Sequence, residues 1–215
     1  MSGEQQRTEA WLAARCGKFT ASHFASLLAA NKKTGEPLKA YRDLIWRIAV
    51  ERITGQPAES IDGCALQWGR EVEEFARQEY ELAEGAEVEQ TGFIQHRALP
   101  FAGCSPDGLV GENGGVEIKC PKSSAAHLER FLSGVPEEYQ PQIQGCMWVT
   151  GRKWWDFASY DPRMPESHRL LIIRVPRDDA FIGKLEARVL EAERSVRELL
   201  EKLNAQTATQ TQEAT

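Results

Sequence analysis

Asp107, Glu117 and Lys119 are the residues in this chain best placed to do chemistry together. Asp107 lies in Ser105-Pro-Asp-Gly-Leu109, and the other two lie in Gly115-Val-Glu-Ile-Lys-Cys-Pro121. On an extended strand, residues two apart share a face. Glu117 and Lys119 therefore point one way, while Val116 and Ile118 turn toward a core. Leu109-Val110, the glycine-rich 111–115 segment and Val116 to Cys120 predict a β-hairpin. Pairing of its strands brings Asp107 beside Glu117. Two converging carboxylates hold a hard divalent cation such as Mg²⁺, which keeps several waters and takes phosphate oxygens. Such a cation polarises a phosphodiester and lowers the pKa of a bound water. A neighbouring lysine can orient or deprotonate that water and can offset charge building on phosphorus. The Ile118 carbonyl, between the two side chains, could supply a further oxygen ligand.

The elements that must position these groups are legible from periodicity. Helices are expected at Glu4 to Ala14, at Leu38 to Ile53 with Thr54-Gly55 closing it, and at Ala65 to Leu82. A short helical stretch carries Phe24, Leu27 and Leu28, with Thr20 or Ser22 as its N-cap. Strands are expected at Val88 to His96 and Phe101 to Cys104, followed by the hairpin. Helices from Ser123 to Phe131 and Glu137 to Val149 then alternate with strands at Trp154 to Tyr160 and Leu170 to Val175. Pro141 falls in the first turn of its helix, where proline is tolerated. A long amphipathic helix, Ala180 to Leu203, precedes a Gln/Thr/Ala-rich tail at 204–215 that reads as disordered. No internal repeat or linker divides the chain. The order fits one α/β domain spanning 1–203, a central mixed sheet flanked by helices with a long C-terminal helix.

Composition sets outer limits. The 215 residues carry 26 Lys and Arg against 32 Asp and Glu, a formal net charge of −6. That excludes a protein that coats nucleic acid by bulk charge, but not one that handles it through a local basic pocket and metal ions. No apolar run approaches the ~18 residues of a membrane span. The polar start MSGEQQRTEAW has no apolar signal core, so a cytoplasmic protein with no membrane partner is expected. Five widely spaced cysteines without a Cys-x-x-Cys pair read as free thiols rather than a zinc site. Four histidines without i, i+4 spacing, and the absence of Gly-x-Ser-x-Gly, a P-loop or Gly-x-Gly-x-x-Gly, argue against zincin, serine-hydrolase and common nucleotide-binding chemistry.

An aspartate followed about ten residues later by Glu-x-Lys resembles the PD-(D/E)XK nucleases. The blocks Trp68-Gly-Arg-Glu-Val-Glu73, Cys104-Ser-Pro-Asp-Gly-Leu109, Glu117-Ile-Lys-Cys-Pro121, Gln142-Ile-Gln144, Met147-Trp-Val-Thr150 and Tyr160-Asp-Pro-Arg-Met164 are similar, in order, to those of the bacteriophage lambda exonuclease and YqaJ-type viral recombinase family. The resemblance implies a Mg²⁺-dependent 5′-to-3′ exonuclease on linear double-stranded DNA. Mn²⁺ would be a possible substitute metal. Such an enzyme releases 5′-mononucleotides and leaves 3′ overhangs for recombination by strand annealing. By the same likeness Asp107, Glu117, Glu73 and the Ile118 carbonyl would be metal ligands, with Lys119 serving the water and Gln142 an active-site glutamine. Arg15 and Ser22, in Arg15-Cys-Gly-Lys-Phe-Thr-Ala-Ser22, together with Ser105, would bind the DNA 5′-phosphate. A ring-shaped homotrimer around the duplex and a single-strand annealing protein are the implied partners. The alternatives are a superfamily nuclease of other polarity, an endonuclease, or a non-catalytic DNA-binding protein on this fold. The metal triad is common to the superfamily, and the intact acids and lysine disfavour the last of these. Trp154-Trp155 reads as core or subunit contact, with base stacking a further option.

Overall fold

The structure is a computed structural model that describes the backbone of residues 6, 8–31, 33–58 and 64–213, and their side chains except at 64–67, 69–71 and 209–213. Thr8 caps the first helix, α1 (Glu9–Arg15), by accepting a hydrogen bond from the Trp11 amide. The start expected at Glu4 lies outside the described residues. A two-residue strand, β1 (Phe19–Thr20), leads through a 3₁₀ turn at Ala21–His23 into α2 (Phe24–Leu28). Then come α3 (Lys39–Thr54), which Gly55 ends in the left-handed conformation, and α4 (Cys64–Glu84).

The strand expected from Val88 to His96 is instead two, β2 (Val88–Glu89) and β3 (Ile94–Gln95), and they join different sheets. Thr91-Gly92 punctuates the run, and a hydrophobic count over nine residues does not register such a break. The chain continues through β4 (Ala102–Cys104), β5 (Gly108–Val110), β6 (Gly114–Lys119), α5 (Ser124–Ser133), α6 (Gln140–Thr150), β7 (Trp154–Tyr160), α7 (Glu166–Arg169), β8 (Leu170–Pro176) and α8 (Asp179–Glu213). The larger sheet has the order β2-β5-β6-β7-β8, with only the β6–β7 pair parallel. A smaller sheet, β1-β4-β3, pairs β1 parallel to β4. This is the mixed, helix-flanked α/β sheet the sequence predicts. One prediction is corrected: the 204–215 tail is not disordered over its described part, because α8 runs on to Glu213. Nothing after Gly183 is glycine or proline, and alanine and glutamine favour helix, so no local signal stops it.

Two cores hold the large sheet. Phe19, Phe24, Leu27, Ile48, Ile143, Met147, Trp155, Phe157, Leu185 and Val189 fill one face beneath α2, α3, α6 and α8. Val72, Ala76 and Tyr80 of α4 pack with Val116, Ile118 and Ala158 on the other. Tyr80 donates to Asp156 at 2.7 Å, and Arg174 of β8 donates to the same buried carboxylate at 2.8 and 2.9 Å. This ties α4 to the sheet interior. Trp155 is fully buried, so its ring closes the core and is shut off from base stacking, while Trp154 packs under the Arg174 guanidinium at 3.9 Å. Among the described residues, no helix is long and apolar enough to cross a membrane.

Gly114 and Gly115 open β6 opposite Trp154 and Trp155 of β7. A β-carbon on Gly115 would enter the van der Waals envelope of the Trp155 ring. Gly115→Ala is therefore expected to lower unfolding stability by about 1–3 kcal/mol through overpacking. Gly183→Ala, in an exposed helical position with open space around it, should instead be neutral or stabilising by up to about 1 kcal/mol. Urea denaturation of both variants checks the contrast, and equal effects would contradict it.

Candidate active site and phosphate pocket

The hairpin assembles the acidic centre. Gly108 of β5 stands opposite Val116 of β6, which places Asp107, one residue before β5, next to the Glu117–Ile118 peptide. The Ile118 amide donates to Asp107 Oδ2 at 2.7 Å. Ile118 thus orients Asp107 through its N–H, a role the sequence did not suggest. Val116 and Ile118 face the α4 core, as their alternation requires. The opposite face of β6 is not open to solvent: Glu117 is 0% exposed, covered by α6. Its Oε1 takes two donors, Lys119 Nζ and Gln142 Nε2, the latter at 2.6 Å. Its Oε2 is buried with no partner. Pro141 sits in the first turn of α6, where its missing N–H costs nothing, and Gln142 follows directly.

Electrostatics mark the same place. Burial, and then the charge of Glu117, push the Asp107 carboxyl well above the usual range of an aspartate. For Lys119, burial works to lower the pKa, but the charges of Glu117 and Asp107 outweigh it and hold the amine above its ordinary value. In this arrangement Lys119 is an ammonium paired with a carboxylate. Two carboxylates brought together at this cost, one with an orphaned buried oxygen, fit a hard divalent cation. Glu73 of α4 raises Asp107 and Cys120 through its charge, and the Cys120 thiol is pushed up to about 12, by burial first and then by Glu73 and Asp107. Among the described residues, however, no three His, Cys, Asp or Glu side chains are grouped closely enough to hold a metal. The site as folded is an Asp107–Glu117 pair with Glu73 set back from it. Tyr139, which pattern reading passed over as a functional residue, completes the wall: Lys119 Nζ lies 5.1 Å from its ring, and Phe157 packs on it at 5.4 Å.

The parallel pairing of Phe19 with Ala102 and of Thr20 with Gly103 carries the 15–22 segment to the acidic centre. Arg15, 8% exposed, stacks on the Trp11 ring at 4.3 Å. Its Nη1 donates to Ser105 Oγ at 3.1 Å, and its Nη2 to Thr20 Oγ1 and Ser22 Oγ, each at 3.4 Å. Trp11 Nε1 also donates to Ser105, at 2.9 Å. The structure therefore brings Arg15, Ser22 and Ser105 together as the sequence groups them, and adds Trp11 and Thr20. Thr20 carries only a capping signal in the sequence, and Trp11 only an apolar one. Ser105 and Asp107 are two residues apart, so their Cα atoms are separated by at most about 7 Å. The guanidinium pocket and the carboxylate pair are thus neighbours on one stretch of chain.

Comparison with known proteins bears on this geometry. Residues 10–153 match the family described as the YqaJ-like viral recombinase domain. The alkaline exonuclease LHK-Exo from Laribacter hongkongensis is 36% identical, with a TM-score of 0.85 over 94% of this chain and 99% of that one. Its complex with dAMP superposes at the same TM-score with 37% identity and the same coverage. A phage related exonuclease from Haemophilus somnus 129PT shares the fold, with a TM-score of 0.68 at 18% identity over 86% of this chain and 96% of that one. Escherichia coli K12 ExoD is 32% identical over 60 residues, which are 28% of this chain and 68% of that protein.

The raised Asp107 pKa has a consequence for stability. A carboxyl raised in the folded state holds its proton more tightly there than in the unfolded chain, so stability is lost as pH climbs from the ordinary aspartate range through the raised value. Asp107→Asn keeps an oxygen for the Ile118 amide and removes that loss. In EDTA the variant should melt above the wild type at pH 8, by a margin that shrinks toward pH 4. Calorimetric scans across that range test it, and a margin independent of pH would contradict the assignment.

Proposed function

The chain belongs to the YqaJ-like viral recombinase domain family, and from this footing as a nuclease acting on DNA in recombination we propose that it is a Mg²⁺-dependent 5′-to-3′ exonuclease of linear double-stranded DNA. It releases 5′-mononucleotides and leaves 3′ single strands for annealing. The observation that carries this reading is the continuity of the two sites: an arginine–hydroxyl pocket suited to a terminal phosphate stands two residues from the carboxylate pair. An enzyme that grips an end and cuts beside it needs that adjacency, whereas one that cuts internally does not. The dAMP complex of LHK-Exo supports a mononucleotide product.

The roles of the side chains follow from their contacts. Asp107, Glu117 and the Ile118 carbonyl would hold the divalent cation, Mg²⁺ with Mn²⁺ as substitute, and Glu73 adds its charge at Asp107. The bound cation supplies Lewis-acid activation of the scissile phosphate and of water. Lys119, held at Glu117 Oε1 beside Asp107, would orient the attacking water and accept its proton if a cation took up the two charges that now hold the amine protonated. Gln142 keeps Glu117 Oε1 in place, leaving Oε2 for coordination. Arg15, Ser22 and Ser105 seat the 5′-phosphate and so set which bond reaches the carboxylates. A homotrimeric ring around the duplex and a single-strand annealing protein complete the proposed assembly.

Incubation with end-labelled linear and closed circular duplexes, in Mg²⁺ or EDTA, tests the reading. Mg²⁺-dependent loss of the 5′ label from linear DNA alone is expected. Cutting of circles, or loss from 3′ ends, would refute it. Lys119→Ala should lower turnover by at least about a hundredfold, the usual contribution of a general base, while DNA binding measured in EDTA survives. Near-normal turnover would remove Lys119 from that role.

A further inference from the structure

We propose that Arg130 of α5 is a further DNA-contacting residue, which binds the backbone phosphate next inward from the bond that is cut. The proposal rests on the end-recognition reading above and extends it to a second guanidinium, on the opposite flank of the carboxylate pair from Arg15.

Sheet order sets the two flanks. In β5-β6-β7 the central strand carries Glu117 and Lys119, Asp107 precedes β5, and Ser159 lies on β7. The parallel pairing puts Phe157 opposite Glu117 and Ser159 opposite Lys119, so these four side chains share one face. Arg130 lies on that face over β7. Its Nη1 donates to Ser159 Oγ at 2.8 Å, and its Cζ is 5.5 Å from the Phe157 ring and 5.7 Å from the Tyr139 ring. Lys119 Nζ stands against the same Tyr139 ring, at 5.1 Å. The acids therefore have Arg15 on the β5 side, through Ser105, and Arg130 on the β7 side, through Ser159. Those two strands are two strand spacings apart, about 10 Å.

Arg130 is held but not neutralised. It is 8% exposed, and its anchor is fully buried: His127 Nδ1 lies 2.9 Å from Ser159 Oγ, and His127 Nε2 donates to the His168 carbonyl at 2.7 Å. Beyond Ser159, no acceptor among the described residues takes a guanidinium N–H, and no carboxylate stands within ion-pair distance. The unpartnered nitrogens are not sealed in the interior. The rings stabilise the charge without using its donors. Arginines elsewhere in the molecule are treated differently. Arg52, Arg163 and Arg174 are each less buried than Arg130, and each grips a buried carboxylate with two nitrogens, on Glu193, Asp161 and Asp156 respectively. The Arg130 charge also reaches the acidic centre. At Cys120, one residue past Lys119, it works with Lys119 against the rise that burial and the acids impose on the thiol. Open N–H donors on a desolvated cation without a counter-ion suit the oxygens of a phosphodiester. A strand whose 5′-phosphate sits at Arg15, and whose first linkage meets Asp107 and Glu117, brings its next phosphate to the β7 side, where Arg130 stands.

The test uses the full chain and linear duplexes with phosphorylated 5′ ends, with Kd measured in EDTA over a range of KCl concentrations. Arg130→Met should weaken binding about tenfold at low salt, roughly the value of one hydrogen bond to a charged group. It should also reduce the slope of log Kd against log salt by about one, the counterion released by a single phosphate contact. Arg130→Lys keeps the charge and should keep the slope. A methionine variant that loses stability but retains the wild-type slope marks a purely structural arginine and overturns the proposal. A single uncharged methylphosphonate linkage locates the contact. Placed one linkage inward from the first, it should weaken the wild type and leave Arg130→Met unaffected; placed in mid-duplex, it should treat the two alike. Equal losses in both proteins at the inward position would sink the assignment. If Arg130→Met does not fold, Arg130→Gln, which keeps a donor for Ser159, carries the same expectations. A wild type indifferent to where the neutral linkage lies overturns the end-recognition reading, and this contact with it.

Discussion

A carboxylate with no solvent exposure governs this molecule. Withdrawing Glu117 from water costs several kcal/mol unless compensating groups are aimed at it. Two of them, the Lys119 ammonium and the Gln142 amide, converge on a single oxygen. Lys119 is available because it lies two residues along the same strand. Gln142 is available because α6 begins at the right place, with a proline in the turn just before it. The strand in turn is fixed by glycines that let Trp154 and Trp155 close on it. The second oxygen of Glu117 receives no donor, and Asp107 is crowded against the same charge. The fold thus spends stability on a local excess of negative potential, which is what a cation-binding centre needs and what a purely structural core would avoid.

The acidic centre does not stand alone. Its aspartate belongs to the same short stretch of chain as a serine in the Arg15 pocket, so the most negative and the most positive parts of the site share a backbone. The net charge of −6 is thus compatible with a nuclease acting on DNA, because a placed cation, Arg15, stands beside the acidic centre.

Legibility in the sequence followed the range of the interactions. The hairpin, the split of Val116 and Ile118 from Glu117, and the proline at the start of α6 are local patterns, and each stands in the structure as read. The grouping of Arg15, Ser22 and Ser105 came through resemblance, because only the β1–β4 pairing unites them. The contact between His23 and Arg47 was out of reach, because 24 positions separate the two residues. The burial of the Glu117 face was missed for a related reason. Alternation tells which residues share a side, and here a helix covers the side with the charges as well. Splitting the 88–96 run between two sheets likewise requires partners that periodicity does not contain.

The β1–β4 pairing also orders events in time. The hairpin that carries the carboxylates closes across three residues, 111–113, whereas Phe19 must find Ala102, and 102 − 19 = 83 positions separate them. Loop-closure entropy makes the second event dearer by roughly 3 kcal/mol. By loop length alone, the strands that carry the two carboxylates pair more readily than the Arg15 segment reaches them. The β1–β4 pairing and the hairpin belong to different sheets, so the contacts that join the 15–22 segment to the acidic centre are separate from the ones that build it. The arginine–hydroxyl half of the site is thus complete only when a contact of long sequence range has closed, a condition that the carboxylate half does not share.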